Sequence, residues 1–260
     1  MKKHLIICLI LTLYACAKVP ITGRHQMHLL PESQLMTMAI SNYDQFLKEK
    51  RALNDARAKK IKAIGDKIST SVNKFMTAHG HGKRIAGYNW EFNLVNDPAV
   101  NAWCMPGGKV VFYTGILPYT LDDTGIAVVM GHEIAHAIAR HGNERMSQGL
   151  ALQLGGASLQ VALSEKSEQT QNLFLQSYGL ASTVGSLKYS RKHESEADKM
   201  GLVFMALAGY NPEGAVDFWK RMSQSGGQKP PKILSTHPHD DKRIADIKAY
   251  LPHALKHYKK

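Results

Sequence analysis

Residues Gly125 to Arg140 are apolar and alanine-rich around His132, Glu133 and His136, so a helix formed there must carry two imidazoles and a carboxylate into the interior. Buried polar groups need partners. Upstream, Leu121-Asp122-Asp123-Thr124 offers side-chain N-caps, and Gly142 stands where a C-terminal glycine cap belongs. On an α-helix, positions four apart differ by only about 40° in direction, so His132 and His136 share a face and can share one metal ion. Glu133 projects beside that ion, placed to take a proton from a water whose pKa zinc would bring from about 15.7 towards roughly 7. In a chain with 13 histidines an H-E-x-x-H can arise by chance, so the rest of the sequence has to supply the context.

A catalytic zinc takes three protein ligands and leaves the fourth position to water. The cluster Lys192-His193-Glu194-Ser195-Glu196-Ala197-Asp198 is rich in candidates, and apolar residues at Ala197, Met200, Gly201, Phe204 and Leu207 give it a helical period. Glu194 and Asp198 share a face, whereas Glu196 lies roughly 200° from Glu194 and points elsewhere. Glu194 is therefore the expected third ligand of a single Zn2+ per chain. Asp198 is the expected carboxylate that takes the other N–H of a ligand histidine, or a proton donor. Taken without the H-E-x-x-H, the same pair would be an ordinary solvated helix face.

Gly131-His132-Glu133-Ile134-Ala135-His136 followed by Glu194-x-x-x-Asp198 resembles the CAAX prenyl endoprotease and HtpX family of zinc metallopeptidases, in particular its soluble periplasmic lipoprotein branch. Val95-Asn96-Asp97-Pro98-Ala99-Val100-Asn101-Ala102, Pro106-Gly107-Gly108, Ser235-Thr236-His237-Pro238 and Arg243 extend the resemblance from about Pro20 to Tyr250. It implies endopeptidase activity, with His132, His136 and Glu194 as zinc ligands and Glu133 as the base. His237, His239 and Arg243 are the nearest family-like donors for the oxyanion that develops in peptide hydrolysis, a contribution of about 3 kcal/mol. His237 could instead occupy the open zinc position at rest, or be an ordinary loop histidine.

The amino terminus speaks to compartment. Met1-Lys2-Lys3-His4 is basic, Leu5 to Leu13 is apolar but too short to span a bilayer, and Leu13-Tyr14-Ala15-Cys16 has the form of a lipoprotein cleavage site. Residues 1–16 are thus expected to be an export signal cleaved before a lipidated Cys16, with 17–30 a tether and 31–260 one metallopeptidase domain. An ordinary signal peptide is the simpler alternative. Nothing acidic follows Cys16, and by the resemblance Ala17-Lys18 would not oppose transfer to the outer membrane. Of the three cysteines, Cys8 would leave with the signal and Cys16 would carry lipid, so Cys104 would have no disulfide partner. The net charge of +12 draws on Lys48, Lys50, Arg51, Arg57, Lys59, Lys60, Lys62 and Lys67. Those residues suit an anionic membrane or acidic clients, or simply a solvated helix face; nucleic acid is not expected as a partner of an exported chain.

Pro31 opens an expected helix to about Lys50, and Asn54 or Asp55 caps a second to about Thr77, closed by His79-Gly80-His81-Gly82. Trp90, Phe92 and Leu94 alternate with polar residues, and Val100 to Met105 and Lys109 to Tyr113 flank Pro106-Gly107-Gly108, which predicts a small sheet before the zinc helix. Zinc peptidases hold substrates extended along an exposed edge strand, and Asn101 and Ala102 are the candidates for that edge. Met146 to Leu163 carries no charge but contains three glycines and recurrent glutamines, so a helical excursion forming a hairpin with Gln169 to Leu187 over the cleft is expected rather than a membrane hairpin. Asn211-Pro212 opens a helix to about Ser223, and Asp240 to Tyr250 forms the last one, after a Gly/Pro-rich loop.

With 44% hydrophobic residues the chain has ample core for a single globular domain. The expected fold class is α+β, mainly helical, a zincin-type metallopeptidase with a small sheet beside the H-E-x-x-H helix. The expected activity is hydrolysis of unfolded or misfolded envelope polypeptides by a periplasmic enzyme, lipid-anchored to the outer membrane. A lipoprotein chaperone with a structural metal and a cell-wall amidase are the competing classes.

Overall fold

The computed structural model describes residues 16–154, 168–178, 189–224, 232–237 and 241–259. Of the segment 1–16 expected as the signal, residues 1–15 lie outside them. A short antiparallel hairpin, β1 (Cys16–Lys18) and β2 (His25–Met27), comes first. Within the segment expected as a tether, Val19, Gln26 and Leu30 are buried.

Helix α1 (Glu32–Glu49) follows Pro31, whose fixed φ suits the helix start, and buries Leu35, Met38, Ala39 and Tyr43 at helical spacing. Helix α2 (Ala56–Ala78) is capped by Asp55, whose carboxylate accepts from the Ala58 amide at 2.9 Å, and buries Ile61, Ile64, Ile68, Val72 and Met76. Three strands follow: β3 (Glu91–Val95), β4 (Ala102–Met105) and β5 (Lys109–Tyr113). They are ordered β3-β5-β4, β5 lying antiparallel to β4 and parallel to β3.

Both faces of this sheet are covered. Phe92, Leu94, Cys104, Val110 and Phe112 enter the larger core with α2, while Trp103, Met105, Val111 and Tyr113 enter a second core with α1. The alternation of side chains along each strand thus divides its residues between two cores. Cys104 is a free, buried thiol.

The short helix α3 (Leu117–Thr120) leads into α4 (Asp123–Ala139), whose residues from Gly125 to Ala139 are all buried. Asp122 caps it by accepting from the Gly125 amide at 2.8 Å. At the other end the sequence expectation fails. Arg140, not Gly142, adopts the left-handed conformation, at φ 59°, and the next helix α5 (His141–Leu154) starts at once. Gly142 lies inside α5, where a Cβ would come within 2.1 Å of the Tyr178 ring, so its smallness serves packing and not a turn.

Helix α6 (Glu168–Ser177) packs on α5, and the remainder of the expected hairpin lies outside the described residues. Among those residues no helix is long and apolar enough to cross a membrane. Helix α7 (Arg191–Leu207) lies against α4 more closely than side chains would allow. A Cβ on Gly131 would be 2.7 Å from the Gly201 carbonyl, and one on Gly201 would be 2.9 Å from the His132 nitrogen. Two glycines therefore let the backbones touch at the level of His132.

Helix α8 (Gly214–Gln224) begins after the Asn211-Pro212 turn, α9 (Lys232–Thr236) carries His237 at its end, and α10 (Asp241–Leu255) runs past the expected Tyr250. His239 lies outside the described residues. The basic residues on α1 and α2 face solvent and are partly paired: Lys60 with Asp123 at 2.8 Å, Lys62 with Asp66 at 3.6 Å, and Lys50 with Asp97.

Candidate active site

The helical period of α4 places His132 and His136 one turn apart, and the Gly131–Gly201 contact brings the first turns of α7 alongside them. His132 Nε2 and His136 Nε2 face each other at 3.0 Å. Glu194 stands against both, with Oε2 3.5 Å from His132 Nε2 and Oε1 3.3 Å from His136 Nε2. His237, delivered by α9, closes the group with Nδ1 3.1 Å from Glu194 Oε1 and 3.2 Å from His132 Nε2. All four residues are buried, and one ligand atom from each lies within 4.8 Å of the others.

The hydrogen-bonding neighbours determine which nitrogens carry protons. Asp198 Oδ1 lies 3.0 Å from His132 Nδ1 and can only accept, so Nδ1 bears hydrogen and Nε2 turns to the cluster. Arg243 holds Asp198 in a two-pronged pair, Nε and Nη2 each donating at 2.8 Å, while its Nη1 lies 3.0 Å from Glu194 Oε2. The guanidinium stacks 3.5 Å from the Trp219 ring centroid. On the opposite wall, Tyr189 lies 4.0 Å from the His136 ring and Arg145 stacks on Tyr189.

Behind His136 is a set of partners that the sequence did not announce. His141 Nδ1 is 2.9 Å from His136 Nδ1, and His141 Nε2 donates to Glu196 Oε2 at 2.8 Å. Glu196 indeed points away from the ligand face, as its helical position requires, but towards His141 and Arg24. His141 follows His136 by five residues, which on a continuous helix would turn it well off the shared face. The left-handed Arg140 folds it back, and that elbow has no clear sequence signal.

Electrostatics agree with a site for one cation. Burial alone would lower His132, but hydrogen bonds to Asp198 and Glu194 hold it up at about 9. Burial pulls His136 well below the ordinary imidazole value. Burial works to raise Glu194, yet His237 and Arg243 outweigh it and keep the group ionised. Burial pushes Glu133 up, and its Oε1, 3.6 Å from His237 Nε2, has no hydrogen-bond partner.

Two Nε2 atoms at 3.0 Å beside a carboxylate require a positive charge between them, either a shared proton or a metal ion. Donors placed tetrahedrally about 2.0–2.1 Å from a divalent ion lie about 3.3 Å apart, close to the separations found here. The residues fit such an ion.

Asn101 and Ala102 lie beside and on β4, whose outer edge no strand covers among the described residues. The Asn101 carbonyl accepts from the Tyr113 amide within the sheet, so the main-chain groups of Ala102 face outward. Both residues are nonetheless only 3% and 1% exposed. Helix α9 reaches this edge, the Ile233 amide donating to the Val100 carbonyl at 3.0 Å.

Residues 55–251 match the pattern of Peptidase family M48, three-quarters of the chain and all of the cluster. The chain belongs to that family. It is 35% identical over 213 residues to the mitochondrial metalloendopeptidase OMA1 of Arabidopsis thaliana, covering 80% of this chain and 40% of the relative. It is 34% identical over 223 residues to the protein of the same name in Schizosaccharomyces pombe, covering 79% and 62%. To the Beta-barrel assembly-enhancing protease of Escherichia coli it is 28% identical over 164 residues, covering 61% and 34%. The chain spans roughly half the length of the OMA1 relatives, and its likeness is to mitochondrial proteins as well as to a bacterial protease.

Proposed function

We propose that this M48 chain is a zinc metalloendopeptidase in which His132, His136 and Glu194 hold the ion and Glu133 is the catalytic base. The observation that carries this reading is the buried convergence of these donors beside a carboxylate with a free oxygen. Bound zinc would polarise the scissile carbonyl and acidify water. Glu133, raised by burial and therefore a better base than an exposed carboxylate, takes the proton of the attacking water and passes it to the leaving amine. Asp198 fixes the His132 ring, and Arg243, committed to Asp198 and Glu194, acts on the site by holding those carboxylates rather than by reaching substrate. Trp219 and Tyr189 pack against the His132 and His136 rings.

The substrate class we infer is unfolded or misfolded polypeptide of the bacterial envelope, bound extended along the Asn101–Ala102 edge. The name of the Escherichia coli relative, an assembly-enhancing protease for β-barrels, supports an envelope role. Cys16 would carry the lipid that anchors the chain in the periplasm at the outer membrane, a reading supported by the amino-terminal sequence alone. The resting state we infer is closed, since α9 places His237 in the ligand cluster and binds the edge strand through Ile233.

The deciding experiment is Glu133→Gln with zinc analysis and a casein assay. The variant should keep the wild-type zinc content and melting temperature while cleavage falls by about 10² to 10⁴. Unchanged processing of clients by this variant would favour a chaperone whose metal is structural. Zinc-dependent release from peptidoglycan without casein cleavage would favour a cell-wall amidase.

A further inference from the structure

Arg24 touches none of the four clustered residues, yet it ends a continuous chain of contacts that reaches His136. Its guanidinium lies in the β1–β2 hairpin and grips two carboxylates at once. Nε donates to Glu196 Oε2 at 2.8 Å, while Nη1 and Nη2 donate to Glu144 Oε1 and Oε2 at 2.9 and 2.7 Å. The Thr22 hydroxyl holds the other oxygen of Glu196. Each carboxylate in turn accepts from an imidazole, Glu196 from His141 at 2.8 Å and Glu144 from His193 at 3.0 Å, and these two rings stack at 4.5 Å.

The chemistry of these groups imposes one order of protons. A carboxylate gripped by a guanidinium can only accept, so His141 carries its hydrogen on Nε2. With Nε2 engaged by Glu196, His141 meets His136 through Nδ1, and the contact of 2.9 Å engages Nδ1 of His136 as well. His136 is left with its Nε2 facing the cluster. Without the fork of Arg24, Glu196 could rotate, His141 could take either tautomer, and the orientation of His136 would lose its outer support.

We propose that Arg24 is a positioning residue of the metal site, acting from the amino-terminal hairpin through Glu196 and His141 to fix which nitrogen of His136 faces the ion. This rests on the reading of His132, His136 and Glu194 as ligands. The competing role is a staple that only fastens the hairpin to the body.

The test compares full-length wild type with Arg24→Ala, Arg24→Lys, Glu196→Gln, His141→Ala and the Arg24→Ala/His141→Ala double variant, each well below its melting temperature. Zinc affinity is measured by competition with a chromogenic chelator, and ligand geometry by the visible spectrum of the cobalt-loaded protein. Arg24→Ala is expected to weaken zinc about 10- to 100-fold and to change the cobalt bands. Arg24→Lys, which keeps the charge but not the fork, should lose less, and Glu196→Gln should lose as Arg24→Ala does. The double variant should bind no more weakly than His141→Ala, because both act through one path. Lowered melting temperatures with unchanged zinc affinity and cobalt spectra, or full additivity in the double variant, would leave only the staple. A wild-type chain that takes up neither metal would overturn the ligand assignment itself and this inference with it.

Discussion

His132 and Glu194 come from segments 62 positions apart in numbering, yet their meeting was readable, because each sits on a helix whose period dictates its face. His141 was not readable, since its approach to His136 depends on Arg140 adopting φ 59°, a conformation that arginine adopts only under tertiary constraint. Arg24 gave still less signal, being an isolated cation in a stretch without periodicity. His237 carries the clearest single-residue consequence for activity. If it favours the closed site by about 1.4 kcal/mol, His237→Ala should raise casein cleavage about tenfold in steady-state assays. A lower rate would assign it a direct part in turnover, and an unchanged one would show that it neither closes the site nor takes part in the reaction. Glu144 and Glu196 define an acid response. Burial works to raise both, but hydrogen bonds from His193, His141 and Arg24 bring them down to about 2 from 4.5. A depressed carboxylate stabilises the fold fully above the unfolded value. In the metal-free protein the melting temperature should therefore fall as pH drops from about 4.5 through about 2, and Glu196→Gln should flatten that fall.

At the level of elements, α1 and α2 follow their expected starts and ends closely, α4 follows its N-cap but not its expected C-cap, and α7 follows its apolar period, because those signals that hold are local. The parallel pairing of β3 with β5 is not local, and no residue of either strand announces it. The close contact between α4 and α7 depends on Gly131 and Gly201. Gly201→Ala would thrust a methyl to 2.9 Å from the His132 backbone nitrogen and separate the helices. The expected cost is about 1–3 kcal/mol in thermal or denaturant unfolding, with weakened zinc binding as Glu194 draws back from the imidazoles. Stability lost without any change in metal affinity would show that the helices slide and do not separate.

The described residues enclose a polar centre of His132, His136, Glu194 and His237 that could hold one metal ion. Treating the loaded protein with a chelator should lower its melting temperature, and zinc should restore it where magnesium, which demands oxygen ligands, does not. An insensitive melting temperature would mean that the shared proton suffices. The three-stranded sheet has a different kind of consequence. Its strands lend alternate side chains to the cores on either side, Val110 and Phe112 to one, Val111 and Tyr113 to the other. Neither core can dissolve while the other survives, because both would lose the same wall, so the two halves of the molecule are bound into one cooperative unit with no stable half-melted form.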